Sequence, residues 1–424
     1  MAGNQKEKIN DDKVERTINN YEQYINPSLT RVFKLMGLPL EVSAEGCYIY
    51  DNDGRRYLDC LGGYGTYSLG HRHPKVVDAV KKQLDKMPMS SRILFNETVG
   101  SLAAKLARIT PGDLKYSFFC HSGTEAVEGA LKLARLCKQK PGIISTFNSF
   151  HGKTLGSLSA TGRDIFRGPC EPLLPHFKHV PFDDADGIED AIDENTAAVI
   201  IEPIQGEGGI IVPRDDYLPK VREICSRRGV LLIADEVQTG LGRTGRMFAV
   251  EHWGISPDIM CIAKALGGGV MPMGAFIAIP EVWDVFITSP YIHTSTLGGN
   301  PLAASAALAC LEVLEEQELA RQAAEKGELL LNGLNDMAAQ FPGVVSEIRG
   351  KGLMIGIELC REGFGGIVLS ELIQDGILAA FTFNNQKVIR LEPPLIITLE
   401  QVEEVVASMK NAISKANEMV DEIE

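Results

Sequence analysis

Three short segments carry residue types that could act together on one small molecule. The apolar run GVLLIADEV (229 to 237) runs into Asp235-Glu236-Val237-Gln238, and IMCIAK (259 to 264) ends in Lys264, followed by Ala265-Leu266-Gly267-Gly268-Gly269. Alone, a strand-end aspartate is ordinarily a turn residue or helix cap, and a lysine before glycines is ordinarily a solvated charge. Together they supply a carboxylate for a heterocyclic nitrogen and an amine that forms an imine, which is what a pyridoxal site requires. The third segment, Ser122-Gly123-Thr124-Glu125, follows the apolar stretch YSFFC and opens a helix with Val127, Leu131 and Ala134 on one face. Amides at such a helix start suit a phosphate. A plain capping box of Ser122 with Glu125 explains the same residues.

Groups so distant in sequence need a sheet to bring them together. From Pro74 to about Glu316 helical patterns alternate with apolar runs at 142–148, 197–204, 229–237, 259–264 and 274–279. That alternation predicts an α/β fold with a largely parallel, covered sheet, whose ligands bind beyond the carboxyl ends of its strands. Residues 46–60 read as a hairpin turning at Asn52-Asp53-Gly54, and residues 1–20 as a frayed arm or surface helix. From about Leu319 the chain mixes helices with GLMIGIEL (352 to 359) and KVIRLEPPL (387 to 395), then ends in an amphipathic helix from about Thr398. The expected division is an N-terminal segment, 1–73, that joins a C-terminal small α+β domain, 318–424, around a large domain, 74–317.

Composition narrows the class. With 424 residues, 45% hydrophobic and 23% charged, the chain can bury one large core and a second smaller one. A net charge of −14 without a Lys/Arg-rich run argues against nucleic-acid binding. The cysteines are odd in number and scattered without a CxxC pair, so neither a disulfide framework nor a zinc site is expected. No run reaches the ~20 apolar residues of a membrane span, and Met1–Asn20 lacks the apolar stretch of a signal peptide. A cytoplasmic enzyme is expected. Two motifs mislead: His151-Gly152-Lys153-Thr154 ends like a P-loop, but Phe147 stands where its first glycine should be, and His71-Arg72-His73 reads as a loop rather than a metal site.

Taken together, HSGTEAVEGALKLAR (121 to 135), SFHGKTLGSLSATG (149 to 162), EPIQGEGG (202 to 209), DEVQTGLGRTG (235 to 245), AKALGGG (263 to 269), HTSTLGGNPLA (293 to 303) and RLEPPL (390 to 395) resemble the class III (ω-amino) aminotransferases. These are fold type I pyridoxal-phosphate enzymes. The resemblance implies that Lys264 carries pyridoxal 5'-phosphate as an imine and shuttles the proton, while Asp235 keeps the pyridine nitrogen protonated. Gln238 would bond the ring hydroxyl, with Val237 and Phe150 on the two ring faces, although core packing is the cheaper explanation for either apolar residue. Ser122, Gly123 and Thr124 would hold the phosphate, with Thr296 reaching it from the neighbouring subunit of a homodimer. Arg390 would clamp the carboxylate of a 2-oxo acid and Glu207 would neutralise that arginine when no carboxylate is present. A structural ion pair is the alternative for those two residues.

Family members acting on ornithine, acetylornithine or 4-aminobutyrate usually carry arginine where this chain has Lys153. The resemblance therefore favours a diamine donor, putrescine before cadaverine, with 2-oxoglutarate or pyruvate as acceptor. Acetylornithine, ornithine or another ω-amino acid is the alternative donor.

Overall fold

A computed structural model describes residues 11–419. At its centre lies a seven-stranded sheet in the order Tyr116–Cys120, Gly274–Ala278, Ile259–Ile262, Leu231–Asp235, Thr196–Ile201, Gly142–Thr146, Phe177–Val180. From Ile259–Ile262 to Phe177–Val180 every pairing is parallel. The expected largely parallel sheet is thus present, and all five anticipated apolar runs lie in it. Gly274–Ala278 departs by pairing antiparallel with both neighbours. Between Ile262 and Gly274 the chain makes only a short 3-10 turn, Lys264–Gly267. That link is too short for the crossover a parallel neighbour needs.

Helices cover both faces, so Thr196–Ile201, Leu231–Asp235, Ile259–Ile262 and Gly274–Ala278 are buried at every position. Their near-continuous apolar sequences follow from this. Helix Gly123–Lys138 lies against the sheet at Gly129, where an added Cβ would meet the Phe276 ring at 2.1 Å. Glycine there sets the depth at which the helix start sits above the strand ends.

The anticipated hairpin forms from Tyr48–Asp51 and Arg56–Asp59, in the register Tyr48↔Leu58. It belongs to a second sheet, which Ile377–Leu378 joins in parallel beside Arg56–Asp59, linking the N-terminal and C-terminal stretches. A third sheet runs Val345–Lys351, Met354–Leu359, Val388–Leu391, Ala380–Phe381. The last helix, Leu399–Glu418, starts at Thr398 with a capping box to Gln401. Residues 11–24 form the helix Asp11–Tyr24 with no buried residue, as a surface helix should; the expectation for 1–10 lies outside the described residues. No helix among the described residues is long and apolar enough to cross a membrane.

Candidate functional site

Asp235 is the last residue of its strand, which sets its carboxylate at the sheet's carboxyl edge. Oδ2 lies 2.7 Å from His151 Nδ1, and Oδ1 accepts from the Val237 amide at 3.1 Å. His151 is buried, and its Nε2 has no hydrogen-bond partner among the described residues. The segment that mimicked a P-loop therefore serves the aspartate.

Lys264 stands two residues beyond the end of Ile259–Ile262, with Ala263 between, and opens the 3-10 turn at φ +41°. A non-glycine residue in the left-handed region costs on the order of 1–3 kcal/mol and persists where the surroundings over-determine it. Burial holds the Lys264 ammonium below the ordinary lysine range, against the opposing pull of Glu392, Glu207 and Asp235. An amine depressed in this way is readied as a nucleophile and base.

Ser122 caps helix Gly123–Lys138: its Oγ accepts from the Glu125 amide at 3.3 Å and donates to Glu125 Oε2 at 2.9 Å. Ser122 is thus the N-cap, but the box is not closed, because Glu125 reaches back to the His121 amide at 2.8 Å and not to that of Ser122; the first-turn amides of Gly123 and Thr124 are left facing outward, as at any helix start. Gly123 packs so close to Val237 that an added Cβ would meet its side chain at 2.8 Å. Gly123, Thr124, Phe150, His151, Asp235, Val237, Gln238 and Lys264 line one cavity of about 330 Å³. A neighbouring cavity of about 390 Å³ shares Gly123 and Lys264 and adds Ser122 and Tyr67.

Arg390, fully buried, faces Glu207 in a forked pair, with Nη1 donating to Oε1 at 2.7 Å and Nη2 to Oε2. Burial alone would raise the Glu207 carboxyl, but Arg390 outweighs it and holds the group below the ordinary range. The rings of Tyr64 and Phe383 cover the guanidinium, at 4.9 and 5.9 Å from its carbon. Lys153 also lines the first cavity, its ammonium 4.3 Å from the Phe166 ring centre and 5.5 Å from that of Phe383. Of the anticipated residues, Glu207, Arg390 and Thr296 line neither cavity; the first two are buried together, whereas Thr296 lies exposed in the 289–300 loop.

Three site residues had no place in the sequence reading. His151 is 84 positions from Asp235, and no local pattern joins them. Glu202 follows the wholly buried strand Thr196–Ile201; burial pushes its carboxyl up to about 7, and it accepts from the Phe150 amide at 2.9 Å. Glu392 is fully buried and accepts from Gln238 Nε2 at 3.0 Å. A carboxylate just past a buried strand was the available signal for both glutamates, although Arg390 interrupts the apolar pattern of the strand before Glu392.

These parts fit pyridoxal phosphate. There is a carboxylate braced for a ring nitrogen, an apolar floor at Val237 and a ring at Phe150, amides for a phosphate, and a depressed lysine amine. A parallel α/β sheet with this arrangement at its carboxyl edge defines a fold type I pyridoxal-phosphate enzyme. The family profile described as Aminotransferase class-III matches residues 37–413, and the chain belongs to that family. Among solved structures it is similar to a transaminase from the marine bacterium Virgibacillus, with TM-score 0.90 and 30% identity over 96% of this chain and 100% of that one. It is similar to the ornithine aminotransferase of Toxoplasma gondii ME49, with TM-score 0.86 and 31% identity over 96% and 99%. An amine transaminase from an uncultivated Pseudomonas species, in its PLP-bound form, matches with TM-score 0.84 and 31% identity over 89% and 95%. The protein is a pyridoxal-phosphate-dependent aminotransferase that moves an amino group between a small-molecule amine and an oxo acid.

Proposed function

We propose that the donor is a diamine, putrescine before cadaverine, and the acceptor 2-oxoglutarate or pyruvate, which makes the protein a putrescine aminotransferase. Its products are an amino acid and 4-aminobutanal, which closes to 1-pyrroline. The observation that carries this reading is Lys153, packed against the rings of Phe166 and Phe383; the forked Arg390–Glu207 pair, with Nη1 to Oε1 at 2.7 Å, serves this donor as it serves any ω-amine. While it is closed, the guanidinium is neutralised, and an amine with no adjacent carboxylate binds without breaking it. A 2-oxo acid takes Arg390 from Glu207 with its own carboxylate. Lys153, resting against phenyl rings, offers no planar fork for a second carboxylate.

Bound here, pyridoxal phosphate supplies an electron sink for the bond broken at the amine-bearing carbon. Lys264 would hold it through Nζ, and the same amine, once free, would hold and move the proton taken from the donor carbon. Asp235, braced by His151, would keep the ring nitrogen protonated, while Val237 and Phe150 would flank the ring and Gln238 would bond its hydroxyl. Ser122, Gly123 and Thr124 would hold the phosphate. Residues 74–317 form the cofactor-binding part, and 1–73 with 318–424 the smaller part carrying Arg390. The enzyme works in the cytoplasm.

A panel of putrescine, cadaverine, acetylornithine, ornithine and 4-aminobutyrate, each against 2-oxoglutarate and pyruvate, tests the donor assignment. Putrescine should give the highest kcat/KM; a clear preference for acetylornithine would overturn the diamine reading. The ω-amino acid alternative has its own support in Lys153, whose charge would suit a donor carboxylate.

We also propose a homodimer in which Thr296 completes the partner's phosphate site. Ile93, Leu94 and Phe95 are exposed apolar residues, as are Tyr291, Ile292 and Leu297, and the two segments are tied where Arg92 donates to the Gly298 carbonyl. Exposed apolar residues of this kind are what a subunit interface leaves on an isolated chain. The solution mass should be that of two chains or more, and Thr296→Ala should weaken cofactor retention; a stable single-chain species with full cofactor would contradict this.

A further inference from the structure

The Arg390–Glu207 pair is not held by its two members alone. The short strand Ala380–Phe381 pairs antiparallel with Val388–Leu391, and the turn between them folds over the pair. The Phe381 carbonyl accepts from Arg390 Nη2 at 3.3 Å, the Phe383 amide donates to Glu207 Oε2 at 2.8 Å, and the Asn384 amide donates to the Glu207 carbonyl at 3.0 Å. Oε2 is also the oxygen that takes Arg390 Nη2, so a Glu207 carboxylate that leaves the guanidinium must leave the Phe383 amide too. A side chain fixes the turn from the other direction. Asn384 is buried, and its Nδ2 donates to the Asn148 carbonyl at 2.7 Å, two residues before Phe150. The turn itself is braced by Thr382, whose Oγ1 donates to the Asn385 carbonyl at 2.8 Å. Asn384 therefore joins the segment that holds Glu207 to the segment that carries Phe150 and His151.

We propose that residues 382–385 latch Glu207 onto Arg390, and that Asn384 is the positioning residue that sets the latch and so governs how readily an oxo-acid carboxylate displaces Glu207. An amine with no adjacent carboxylate leaves the pair closed and does not work against the latch. Where the closed form predominates, the affinity for the acid is its intrinsic value reduced by the fraction open, so any factor by which the latch weakens appears directly in the dissociation constant. The inference rests on the proposed exchange of carboxylates at Arg390 and is indifferent to which such amine is the donor.

The test is calorimetric binding of 2-oxoglutarate and of pyruvate to holoenzyme kept free of donor amine, where the acid binds without turnover, set beside kcat/KM for putrescine. N384A removes the tie to Asn148 and should tighten acid binding about fivefold, the scale of one hydrogen bond. N384D turns an oxygen toward the Asn148 carbonyl and should tighten it at least as much, which also decides the matter should N384A fail to fold. The putrescine kcat/KM should not share the gain. An acid dissociation constant unchanged or raised in a folded variant, or a parallel change for amine and acid, would overturn the proposal. E207Q is the separate arm, because removing the competing charge should tighten acid binding whatever Asn384 does. No tightening in E207Q would sink the exchange at Arg390 and the latch with it. Tightening in E207Q alone would sink the latch and leave the exchange standing.

Discussion

Lys264→Ala should lose transamination by about 10⁴-fold or more, with loss of the absorbance that marks cofactor bound to the lysine. Two contributions disappear together: acid–base transfer worth roughly 10²–10⁴ in rate, and the covalent hold on the cofactor. The residue cannot be replaced from nearby. The other amine lining the cavity, Lys153, sits among phenyl rings, with Phe166 at 4.3 Å. Single-turnover assays and absorbance spectra of the variant measure both losses, and an active variant would remove the lysine from the mechanism. Alanine keeps the Cβ and so the left-handed backbone at φ +41°, but it removes a buried ammonium that burial disfavours, so the variant should stay folded and the loss is chemical.

Asp235→Asn should cost about 10²–10³-fold in kcat, the scale on which one preorganised electrostatic partner acts. Asparagine can still accept from the Val237 amide, where the native bond is 3.1 Å, and can still meet His151. Cofactor binding should therefore survive while the charge that keeps the ring nitrogen protonated is gone. The check is kcat beside a cofactor titration; near-normal turnover would remove the assigned role.

How far these roles were legible in the sequence depended on range. The hairpin turn at Asn52-Asp53-Gly54 and the cap at Thr398 are local, and both form where their residues place them. The buried strands could be recognised because two covered faces demand unbroken apolar runs. Phe177–Val180 was missed because Lys178 and His179 interrupt it, and Val345–Lys351 because it mixes charges with apolar residues. The orientation of Gly274–Ala278 depended on the length of the Lys264–Gly267 link. Asp235 and Lys264 could be paired because their chemistry is complementary and each stands at or just past the end of an apolar run, both runs being strands of one sheet. Long-range pairings such as His151 with Asp235 and Glu392 with Gln238 exist only once the sheets are folded.

The central claim is that Lys264 bears the cofactor in an amine-transferring site. Borohydride reduction of the holoenzyme, followed by proteolysis and peptide mass mapping, tests it most directly. The account predicts the reduced cofactor on the peptide containing Lys264, and its loss from that peptide when putrescine is added before reduction. Cofactor fixed to any other lysine, or none fixed while the enzyme turns over, would contradict it.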